Sequence, residues 1–128
     1  MPLHRLDHVN LLTANLAGMV DWYERILGMK NGERPPFSIG GAWLYLDGSP
    51  IVHLVEVDRH RDTFEPKIEH FAISGTGLRD LIALLDDNRV PYRIGTVPDM
   101  PLVQVNVHDP DGNHIHLDFH RDEAEGLI

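Results

Sequence analysis

Leu6-Asp7-His8-Val9-Asn10-Leu11 and Ile68-Glu69-His70-Phe71-Ala72-Ile73 are two copies of one short strand-like run, with a histidine at the same place in each. The offset is 70 − 8 = 62 residues. A second pair follows the same rule. His53 lies in Ile51-Val52-His53-Leu54-Val55 and His116 in His114-Ile115-His116-Leu117-Asp118, with 116 − 53 = 63. Imidazole is a common metal ligand and a common acid or base. Two pairs at offsets of 62 and 63 residues predict a duplicated module that brings four donors to one point, and hence a metal centre.

Working outward, the residues after each first strand predict a helix. In the first copy Thr13 or Asn15 can cap it. Leu16, Met19, Val20, Tyr23, Ile26 and Leu27 form its apolar stripe, and Gly28 suits its end. Tyr23 is expected in the core; Trp22, off the stripe, is a candidate for contact with a second subunit. Residues 31–36 read as a loop, and strands are expected over 42–46 and 51–57, joined by Asp47-Gly48-Ser49-Pro50.

The order then repeats. A strand over 67–74 precedes a helix capped by Thr76, with Leu78, Leu81, Ile82 and Leu85 as its stripe and Asn88 as its stop. Strands over 91–96, 102–108 and 114–119 follow, the last after the turn Asp109-Pro110-Asp111-Gly112-Asn113. This is β-α-β-β-β twice. The expected bounds are 3–57 and 67–120 for the modules, 58–66 for the connection and 121–128 for a solvated acidic tail, all in one domain.

Composition narrows the function. One chain of 128 residues with 42% hydrophobic and 24% charged residues is an ordinary globular domain. A net charge of −9 argues against nucleic acid and anionic membranes, which need a basic footprint. Nine histidines and no cysteine leave only nitrogen and oxygen donors for any metal. No signal peptide or membrane span is read, so a cytoplasmic protein is expected.

The last strand shows how a site is built. His114, His116, Asp118 and His120 point one way and Ile115, Leu117 and Phe119 the other. Polar side chains cannot enter a dry core without partners. One face should pack on the helices while the other lines a wet, concave site. By the same alternation Asn10, Tyr45, Arg93 and Gln104 are candidates for the wall, with Arg93 suited to an anionic group. His114 and Asp118 join them as substrate-binding candidates, while His4, His60, His108 and His120 are expected at the surface.

With these motifs, the chain resembles the vicinal oxygen chelate superfamily, which includes glyoxalase I, extradiol dioxygenases and bleomycin-binding proteins. Leu6-Asp7-His8-Val9, the helix with Trp22-Tyr23-Glu24-Arg25-Ile26-Leu27-Gly28-Met29, Ile68-Glu69-His70-Phe71-Ala72 and the Asp109–Asn113 turn carry the resemblance. It implies an α+β fold in which two tandem βαβββ modules form a curled, cup-shaped mixed sheet with helices on the outer face. It also implies a divalent metal held by His8, His53, His70 and His116, a small-molecule substrate, and a homodimer with its sites at the interface.

This chain departs from the family pattern at two ligand positions. Catalytic relatives usually carry Glu where His116 stands, and often Glu or Gln where His53 stands. Four neutral imidazoles supply no carboxylate base and leave the ion's charge uncompensated, which favours an anionic, oxygen-chelating substrate. Zn, Ni, Fe or Cu would all suit such donors. Lyase or isomerase chemistry and ring-cleaving dioxygenation both remain open, and no catalytic residue is assigned. The alternative is a binding protein of the bleomycin-resistance kind without turnover; a third reading is a scaffold whose site has decayed.

Overall fold

The structure, a computed structural model, describes residues 5–59 and 68–127. His4, His60 and most of the expected connection lie outside them. The chain divides into two compact units, Met1–Thr63 and Phe64–Ile128. In the first, β1 (Val9–Thr13), α1 (Leu16–Arg25), β2 (Lys30–Gly32), β3 (Gly41–Leu46) and β4 (Ser49–Glu56) follow in order. The sheet order is β1-β4-β3-β2, with β1 parallel to β4 and the other pairs antiparallel. The second unit repeats this with β5 (Phe71–Ser74), α2 (Leu78–Asp87), β6 (Arg93–Thr96), β7 (Leu102–His108) and β8 (His114–His120), in the order β5-β8-β7-β6. The helices start 78 − 16 = 62 residues apart, the offset of the first histidine pair. The fold is α+β, with two four-stranded mixed sheets and two helices.

Alternation explains which face each sheet buries. In the first unit Ala42, Leu44, Val52 and Leu54 are buried on one face, and α1, which buries Met19, Trp22 and Tyr23, packs on β3 and β4. Each buried Leu, Val or Met of this set contributes about 1.5–3 kcal/mol on leaving water. In the second unit Val103, Val105, Val107, Ile115, Leu117 and Phe119 do the same on β7 and β8. Trp22 is therefore a core residue, 7% exposed and edge-on to Tyr23, and not a surface contact.

Asn15 caps α1, its side chain accepting from the Gly18 N–H, while Thr13 Oγ1 accepts from the Asn15 N–H. Beyond the C-cap Ile26, Gly28 takes φ +69°, which turns the chain so that Met29 is buried. The β3–β4 turn is shorter than expected. Asp47 and Gly48 alone make it, both at positive φ, and Ser49 and Pro50 already belong to β4.

Three other local expectations are corrected. β1 and β5 start only at Val9 and Phe71, so His8 and His70 stand just before their strands. Lys30–Gly32 pairs with β3, although its Asn and Gly look like loop residues. Thr76 does not cap α2. The N-cap is Gly77 at φ +87°, with no cap from its own side chain; Glu123 Oε1 accepts from the N–H groups of Gly77 (2.8 Å) and Leu78 (3.0 Å). Glu123 sits on the 3-10 helix Arg121–Ala124 and ties the acidic end to α2, while Asp122 and Glu125 are exposed as expected of a solvated end.

Candidate metal centre

Register brings the site residues into rows. In the first unit Asn10, His53 and Trp43 are partners across β1, β4 and β3. In the second, Ala72, His116, Asn106 and Arg93 are partners across β5, β8, β7 and β6, and Asp118 pairs with Gln104 two rows on, on the same face. Trp43 and Asn106 thus occupy equivalent places.

In the first unit three rings stack. His53 lies between His8, 3.9 Å away between ring centres, and Trp43, 4.0 Å away, with each ring pair within 11° of parallel. His53 is only 9% exposed, and its Nε2–H donates to the Pro50 carbonyl at 3.0 Å, which leaves Nδ1 with the lone pair. Burial first, then the neighbouring charge of His8, lowers its pKa below the ordinary value of 6.5. His8 Nδ1–H donates to Asp7 at 2.7 Å, which lowers the Asp7 pKa and leaves His8 Nε2 with the lone pair. The Tyr45 hydroxyl is engaged elsewhere, donating to the Glu33 carbonyl at 2.6 Å. Asn10 is exposed.

The second unit repeats the theme with more polar neighbours. His70 Nδ1–H donates to Glu69, as His8 does to Asp7. This is the carboxylate–imidazole pairing that fixes the tautomer and orientation of metal-binding histidines. His70 stacks on His116 at 4.0 Å, and His114 stands edge-on to His116 at 4.7 Å. One ring nitrogen from each of His70, His114 and His116 falls within 4.8 Å of the others. His116 Nδ1 is buried with no hydrogen-bond partner, as is Asp118 Oδ1. Burial, then the charges of His70 and His114, lowers the His116 pKa, so the ring is neutral and its lone pair is free to ligate at neutral pH. An orphaned buried imidazole nitrogen beside two more imidazoles is the donor chemistry of a first-row divalent ion. The residues present fit one.

His114 is more than a wall residue. Its two nitrogens face Asn106 Oδ1 at 2.9 Å and Glu69 Oε1 at 3.1 Å. Glu69 accepts from His70 first and His114 second, and both bonds lower its pKa. Arg93 and Gln104 flank this row: the Arg93 carbonyl accepts from Asn106 Nδ2, and Gln104 is half-buried. Of the histidines expected at the surface, His108 and His120 are exposed. Asp109 holds the turn before β8 in place, its carboxylate accepting from the N–H groups of Asp111 and Asn113 and from the Asn113 amide.

Sequence reasoning did not single out Glu69, Asp7, Trp43 or Asn106. The repeated acid–histidine pairs Asp7-His8 and Glu69-His70 were the signal that could have found the first two. Trp43 and Asn106 are visible only once register is known.

Comparison with known proteins bears on the family and the fold. The family model described as the Glyoxalase/Bleomycin resistance protein/Dioxygenase superfamily matches residues 5–117. No curated protein matches the chain. Among solved structures, a glyoxylase/bleomycin resistance protein/dioxygenase domain from Frankia sp. EAN1pec is 22% identical, with TM-score 0.76 and coverage of 93% of this chain and 99% of that one. The trypanothione-dependent glyoxalase I of Leishmania major is 21% identical, with TM-score 0.68 and coverage of 98% and 93%. A glyoxalase/bleomycin resistance protein/dioxygenase from Alicyclobacillus acidocaldarius is 18% identical, with TM-score 0.61 and coverage of 93% of each chain. At these identities the likeness to solved structures is one of fold, and the family model carries the assignment. The chain belongs to the Glyoxalase/Bleomycin resistance protein/Dioxygenase superfamily.

Proposed function

We propose that this chain is a metal-dependent enzyme of its superfamily, acting on a small, anionic substrate through two neighbouring oxygens. Its metal donors in this reading are His8 and His53 in the first unit and His70 and His116 in the second. The observation that carries it is the buried, unpartnered Nδ1 of His116 within a cluster of three imidazoles. When bound, the ion supplies Lewis-acid polarisation of the substrate oxygens. The protein's part is positional. Asp7 and Glu69 hold His8 and His70 in one tautomer, and burial keeps His53 and His116 neutral and able to ligate.

Around this centre Asn10, Tyr45, Arg93, Gln104, His114 and Asp118 are the proposed contacts to substrate. Arg93 would grip a carboxylate through its planar fork. The reaction is of the lyase or isomerase type or of the ring-cleaving dioxygenase type. The protein is proposed to work as a cytoplasmic homodimer with Zn, Ni, Fe or Cu.

Element-resolved anomalous scattering and metal analysis of untagged protein test the reading. One ion per chain, lost in His70→Ala and His116→Ala, is the expected result. Absence of stoichiometric metal overturns it. Tight binding of a small molecule without product would instead favour a sequestering protein.

A further inference from the structure

The sheet face that carries His53 is apolar where the equivalent face of the second unit is polar. Leu12 pairs with Val55 and Trp43 with His53, and Ile51 stands two residues before His53 on the same face. At the equivalent places the second unit has Ser74, Asp118, Asn106 and His114. The face of a mixed sheet turned away from its core ordinarily carries polar side chains, so an apolar one beside His8 and His53 suits an apolar guest.

Phe37, on the connection between β2 and β3, extends this face. Its ring centre lies 6.4 Å from that of Trp43, which ends the parallel row of His8, His53 and Trp43. Phe37 is 55% exposed and Ile39 56%, yet the segment is tied down. Arg34 Nη2–H donates to the Ile39 carbonyl at 2.7 Å, and the guanidinium lies over the Phe37 ring, 5.0 Å from its centre. The Tyr45 hydroxyl donates to the Glu33 carbonyl. A Cβ at position 41 would collide with the Leu54 carbonyl oxygen and crowd Arg34 Nη2, so the close seat of Arg34 requires Gly41. An exposed ring fixed before a ligand arrives loses little freedom on binding.

We propose that Phe37 and Trp43 form a specificity wall for a planar aromatic ring in the substrate, selecting a flat aromatic acid over a saturated one. This names a substrate class for the site proposed above and rests on that reading for where the substrate's paired oxygens sit. Flatness follows from the spacing. Rings 3.9 and 4.0 Å apart already stack in near-parallel planes there, and a further flat ring can join at the same contact distance, whereas a puckered ring cannot lie flush. Arg34 is a positioning residue, bracing Phe37 from one side while more than half of that residue stays open to a guest.

The test is a two-dimensional NMR titration of the full, untagged chain with 2-naphthoate and with its saturated counterpart, decahydro-2-naphthoate. The two acids share charge and carbon skeleton and differ in flatness. Naphthoate should bind at least about fivefold more tightly and shift the Trp43 indole N–H, while the indole of Trp22, in the core, stays in place. Phe37→Leu keeps apolar bulk at an exposed position and should lower naphthoate affinity about 3- to 10-fold, with Phe37→Tyr close to native. Equal affinity for both acids, no binding of either, or native affinity in Phe37→Leu overturns the wall. Metal analysis of the same sample separates the two readings. With stoichiometric metal, any of those results removes the wall alone; a naphthoate preference without metal removes the metal centre and keeps the wall.

Discussion

The imidazole of His53 lies flat against the indole of Trp43, ring centres 4.0 Å apart and planes 11° from parallel. The indole is part of what keeps water from His53, and burial is the main cause of its lowered pKa. Trp43→Ala should therefore raise the His53 pKa toward its ordinary value. It should also destabilise the fold by about 1–3 kcal/mol, through lost area and a lost ring pair. NMR titration of the imidazole and denaturant unfolding read the two effects separately.

Acid should weaken the metal-free protein before any carboxylate titrates. His53 and His116 both have folded pKa values below the ordinary 6.5. The unfolded chain then binds more protons between the folded value and 6.5, so stability is full above 6.5 and is lost as pH falls through the folded values. The expected observation is a Tm that declines below about pH 6.5. The decline should be shallower in His53→Gln than in the native chain. An equal slope in both would remove His53 as a cause.

Removal of the Glu123 carboxylate should loosen α2. Glu123→Ala leaves the N–H groups of Gly77 and Leu78 without their acceptor, a cost of about 1.5–3 kcal/mol for a charge-assisted cap. Glu125→Ala should change stability by no more than about 0.5 kcal/mol, because it is the Glu125 carbonyl that accepts from Arg79. Amide hydrogen exchange in 77–82 should report the first change and not the second.

Metal should stabilise what it binds. At a free ion concentration of about 100 times Kd the gain is about 2.7 kcal/mol, seen as a rise in Tm that a chelator reverses. His70→Ala and His116→Ala should abolish that rise. A native chain whose Tm ignores both metal and chelator would contradict the proposed centre.

Much of the fold was legible because its signals are local and periodic. β8 alternates His114, His116 and Asp118 against buried Ile115, Leu117 and Phe119, and the burial follows that alternation. Asn15 and Gly28 mark the ends of α1 by chemistry that acts within a few residues. What escaped is held from a distance. Glu123 caps a helix 46 residues earlier in the chain, so nothing near Thr76 announces it. β2 exists because Lys30–Gly32 pairs with Tyr45, Leu44 and Trp43, despite residues that favour a turn. The histidines of β8 could be assigned a face from sequence, but the meeting of His114 with Asn106 and Glu69 depends on register and on rotamers.

The shared strand order gives the molecule its own internal control. Asn10, His53 and Trp43 form one row; Ala72, His116 and Asn106 form its replicate with different side chains. Swapping a single position between replicates, such as Trp43→Asn or Asn106→Trp, varies the surroundings of one imidazole on an unchanged backbone plan. Nature has thus run half of a substitution experiment inside one polypeptide, and the other half needs only the reciprocal exchange.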